Sequence, residues 1–110
     1  MDIIAELTEK LQHYSKIDVR KITSDTAPCN GINPMKLRDQ LMEIGTILEY
    51  DEESGVFIAT IESGFGKKNL AIVGLVLRNE TLYAVAYAEE GLIKQNTAKK
   101  AIQRIWARFQ

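Results

Sequence analysis

At 110 residues, 45% of them hydrophobic and 26% charged, the chain has the size and composition of one folded domain (residues 1–110), not of a disordered tail. Its formal net charge of −1 excludes a general electrostatic attraction to nucleic acid or to an anionic membrane. The longest apolar run, Leu70 to Leu77, is too short to cross a bilayer, one cysteine excludes an internal disulfide framework, and the acidic start is unlike a secretory signal. A cytoplasmic location is therefore expected, with no membrane partner.

In chain order, residues 2–16 read as an amphipathic helix. Ile3, Leu7, Leu11 and Tyr14 stack on one face, and Glu6, Glu9, Lys10, Gln12 and His13 fall on the other. Ile17, Val19 and Ile22 are the candidates for a short edge strand. From Thr23 to Asn33 the letters are those of turns and loops. A second helix follows, with Asn33 as cap, Pro34 at its first position and Gly45 at its exit. Leu37, Leu41 and Ile44 form one apolar stripe of this helix, and Met35 and Met42 form another almost opposite. Two apolar sides predict that both are covered.

The period then changes to two. Strands are expected at Thr46–Tyr50, Val56–Glu62, Leu70–Arg78 and Thr81–Ala88, with turns at Asp51–Gly55 and Asn79-Glu80. Asn96 or Thr97 opens a last helix with Ala98, Ala101, Ile102, Ile105 and Phe109 on its inner face. The expected fold is α+β: a four-stranded antiparallel meander with two N-terminal helices and one C-terminal helix.

A turn at Asn79-Glu80 pairs Arg78 with Thr81, and the rest of the hairpin register follows. One face then carries Ala71, Val73, Leu75 and Leu77 beside Leu82, Ala84, Ala86 and Ala88. The other carries Ile72, Gly74 and Val76 beside Tyr83, Val85 and Tyr87. Neither face has a charge, so both are expected to be covered by helices, by a second chain or by a ligand.

Candidate sites divide by chemistry. Met35, Met42, Phe65, Tyr83 and Tyr87 are candidate partner-binding residues, being large apolar or aromatic groups at positions that a small core does not obviously absorb. Lys67 and Lys68, in the loop Ser63-Gly64-Phe65-Gly66-Lys67-Lys68-Asn69, and Lys100, Arg104 and Arg108, spaced four apart on the last helix, are candidate anion or nucleic-acid contacts. The loop lacks P-loop spacing and leads into a strand. Residues 91–110 hold five cations and no acid. Cys29 and His13 are far apart in the chain, with nothing to unite them as a nucleophile and base. One cysteine and one histidine make no usual zinc site, and the acids of Asp51-Glu52-Glu53 lack the alternation of a calcium loop. No cofactor is implied and no catalytic set is legible.

The leading expectation is a small non-enzymatic interaction or regulatory module, with a protein partner or a homodimer. A nucleic-acid-associated protein using the basic last helix is the first alternative. A small enzyme or ligand-binding protein, with its site in loop 23–33 or loop 63–69, is the second.

Overall fold

The computed structural model describes residues 2–63, 69–89 and 96–109. Helix α1 spans Ile3–Gln12, opened by Asp2, whose carboxylate accepts from the Ile4 amide at 3.0 Å. A 3₁₀ turn at Val19–Lys21 leads into strand β1, Thr23–Pro28. Helix α2, Pro34–Ile44, begins as expected, with the Asn33 side chain accepting from the Lys36 amide at 2.8 Å. It runs without a loop into β2, Gly45–Asp51. Strands β3, Val56–Ser63, β4, Asn69–Arg78, and β5, Thr81–Tyr87, complete the sheet, and helix α3, Thr97–Ala107, closes the described fold.

The sheet is antiparallel with order β1-β5-β4-β3-β2. Strands β2 to β5 are the expected meander. The expected four strands are nevertheless five, and only one helix, not two, precedes the sheet. The fifth strand falls on Thr23–Pro28 rather than on Ile17–Ile22. Its side chains are largely exposed, so it is held by backbone pairing to β5 and not by an apolar face. Pro28 is tolerated because β1 is an edge. Loop 23–33, considered as an enzymatic loop, is therefore half strand. Helix α2 carries the chain from the β1 edge to the β2 edge across one sheet face.

The Asn79-Glu80 turn and the Arg78–Thr81 register are as expected, with both turn residues at positive φ (52° and 59°). The two dry faces are covered by different helices. Leu7 and Leu11 of α1 pack with Val56, Ile58, Ile72, Val76 and Val85 on one side. Helices α2 and α3 bury Leu37, Leu41, Ala101, Ile102 and Ile105 against the alanine side of the hairpin and against Phe57, Ala59 and Ile61 of β3. Gly74 lies beneath α1. A β-carbon there would stand 3.4 Å from atoms of both Leu7 and Leu11, so its absence lets the helix sit close to the sheet.

Candidate interaction site

Helix α1 rests on β4 and β5 and does not reach across the whole sheet. It also ends at Gln12, four residues short of the expected end. Tyr14, expected on its buried face, is therefore exposed. Among the described residues, nothing covers the corner of the sheet beyond α1. There Tyr14 (43% exposed), Leu48 (42%) and Leu70 (56%) line a depression of about 270 Å³ together with Thr60, Ile72 and Tyr87.

Local structure explains each part of the corner. The β2–β3 register shifts between Ile47 and Glu49, a bulge that leaves Leu48 without a directly paired residue on β3. Tyr14 is held in place although exposed: its hydroxyl donates to Glu49 Oε1 at 2.6 Å, and Lys10 Nζ lies 3.1 Å from Glu49 Oε2. The Tyr14 hydrogen bond, and then the Lys10 ammonium, hold the Glu49 carboxyl below its usual range. The same bond raises the Tyr14 phenol above its own. The bulge also divides β2 and blunts this edge against continuous strand addition.

The structure distributes the other candidate residues as follows. Tyr87 joins the depression, whereas Tyr83 is half-buried beside α1. Met35 and Met42 are 51% and 62% exposed on the outer side of α2, so among the described residues only one side of that helix is covered, not both as expected. Phe65, Lys67 and Lys68 lie outside the described residues. Lys100 is exposed. Arg104 donates to the backbone carbonyl oxygens of Ile44 and Glu62, and Arg108 pairs with Glu43 and donates to Gln40 Oε1 at 2.8 Å. Two members of the basic ridge thus join α3 to α2 and to the end of β3.

Cys29 is buried, and burial pushes its thiol up, away from the reactive thiolate; its amide donates to the Glu80 carbonyl at 2.8 Å. His13 is exposed just past α1. Among the described residues, no group of three or more His, Cys, Asp or Glu is placed to hold a metal ion, and no helix is long and apolar enough to cross a membrane. Leu48 and Leu70 did not stand out in the sequence, because a bulge and an incompletely covered face leave no mark in a period-two pattern. No protein-family model matches the chain, and no curated protein or solved structure shows significant similarity to it.

Proposed function

We propose that the chain is a non-enzymatic protein-interaction module in which the open corner beyond α1 receives apolar side chains of a protein partner. The observation that carries this reading is the convergence of Tyr14, Leu48 and Leu70, three exposed large apolar side chains, on one depression beside α1. Exposed apolar groups gathered at one place mark contact surfaces more often than the same groups scattered singly. At about 270 Å³ the depression falls below the roughly 300–1,000 Å³ of ordinary small-molecule sites, and it suits one or two side chains better than a whole ligand.

The nucleic-acid reading has less support, because Arg104 and Arg108 already serve contacts within the chain. The enzymatic reading through Cys29 has less still, given its burial and raised pKa.

The test is site-specific photo-crosslinking in cells, with a benzophenone side chain introduced at position 70 and, as control, at position 99 on α3. The expected result is a discrete protein adduct from position 70 alone, lost when Leu48→Asp is added to a chain that remains folded. Equal labelling from both positions, or no adduct from position 70, would overturn the proposal.

A further inference from the structure

Helix α2 presents a second apolar surface, separate from the corner, and its charges specify what fits there. Leu37, Leu41 and Ile44 turn inward, leaving Met35 and Met42 outward. At about 100° per residue the two methionines lie about 20° apart around the helix axis, which makes them one row. Arg38 lies about 50° to one side of that row and Asp39 about 50° to the other. The two are adjacent in sequence and thus nearly level along the axis. They pair with one another at 3.1 Å, but the Asp39 side chain remains 61% exposed and the Arg38 side chain 36%. The surface is therefore a short apolar row with Arg38 rooted on one flank and Asp39 on the other, their charged ends meeting within the chain.

From this arrangement we infer that α2 pairs with α2 of a second copy of the chain, side by side and parallel, about a two-fold axis running along the helices. That axis sets Met35 against Met35 and Met42 against Met42. It also exchanges the flanks, so Arg38 of each copy meets Asp39 of the other on both sides of the row. An antiparallel pairing keeps each flank on its own side, placing Arg38 by Arg38 and Asp39 by Asp39, and like charges at such a contact oppose it. The charge pattern thus selects both the occupant and its direction. One face of an 11-residue helix is small beside the roughly 1,200–2,000 Å² buried in stable complexes, so the association depends on concentration. It uses a different surface from the open corner, and either proposal can fail alone.

Sedimentation equilibrium on the whole chain tests it, with circular dichroism confirming that each variant is folded. The wild type is expected to dimerise as concentration rises. Arg38→Asp alone and Asp39→Arg alone should each weaken self-association by about tenfold, since attraction becomes repulsion on both flanks. A mixture of these two variants, and the double exchange Arg38→Asp/Asp39→Arg, should both regain it. Asp39→Arg keeps the test intact if loss of the Arg38 guanidinium from above the Tyr50 ring unsettles the fold. Direction is read from oxidation: Met42→Cys alone should form a disulfide-linked dimer, whereas an antiparallel pair requires Met35→Cys and Met42→Cys together. A wild type that stays monomeric at high concentration, or dimers indifferent to the single charge reversals, would overturn the inference.

Discussion

A β-carbon added at Gly45 would stand 2.1 Å from the Thr60 carbonyl oxygen and 2.7 Å from the Ile61 side chain. The residue looks like an ordinary glycine stop for α2, yet its φ of −171° is extended backbone that any residue adopts. Glycine is needed there for space, because the chain turns from helix to strand with no loop and immediately pairs with β3. Gly45→Ala is expected to lower stability by about 2–3 kcal/mol, read as a fall in the urea midpoint. Glu80 is the opposite case: it is exposed, and the cost lies in its φ of 59°. Glu80→Gly should raise stability by about 0.5–1 kcal/mol in the same experiment, the relief of left-handed strain exceeding the added freedom of the unfolded chain. The hairpin turn was legible in the sequence. The crowding at Gly45 was not, because Thr60 comes near it only through strand pairing.

Between elements, the link from α1 to β2 depends on charge. Glu49 accepts from Tyr14 and pairs with Lys10, and its carboxyl is held below the usual glutamate value of about 4.3. A depressed carboxylate contributes stability that is present above that value and lost as pH falls through the lower, folded one. Tyr14 is shifted upward, so its share is present through neutral pH and lost only as the phenol ionises above its ordinary range. Glu49→Gln is therefore expected to flatten the acid side of the stability–pH curve, from about pH 5 downward, and to change the slope little near neutrality. Urea unfolding at a series of pH values checks it; an unchanged acid limb would show that this link contributes no stability. Strand β1 is the other weakly anchored element, joined to α3 by the Trp106 indole donating to Asp25 at 2.8 Å. Its amides should exchange with deuterium faster than those of β4, which is paired on both sides.

Across the molecule, α2 and α3 share one sheet face and are tied together by Arg104 and Arg108. A basic helix on a chain of net charge −1 suggests a foreign anion as its partner, yet the carbonyl oxygens of Ile44 and Glu62 and the carboxylate of Glu43 take up two of its guanidiniums. Arg104→Met is expected to destabilise the fold by about 1–3 kcal/mol, because two carbonyl groups lose their donor. Lys100→Glu should cost little, as Lys100 is exposed. If the ridge also serves nucleic acid, both changes weaken a salt-dependent binding, Lys100→Glu doing so without shifting the unfolding midpoint.

The sequence by itself determined the α+β class, the bounds of α2, the meander of four strands and the hairpin register, because periodicity, capping and turn chemistry act over a few residues. It also marked Met35 and Met42 as a second apolar row and both hairpin faces as dry. Tertiary structure alone decided the rest. Strand β1 exists because β5 offers it a free edge, not because Thr23–Pro28 prefers extension. The open corner exists because α1 ends early over β4 and β5 while a bulge brings Leu48 to the surface. Whether an apolar side chain is core or contact depends on how far a distant element reaches, and that distance is set by packing.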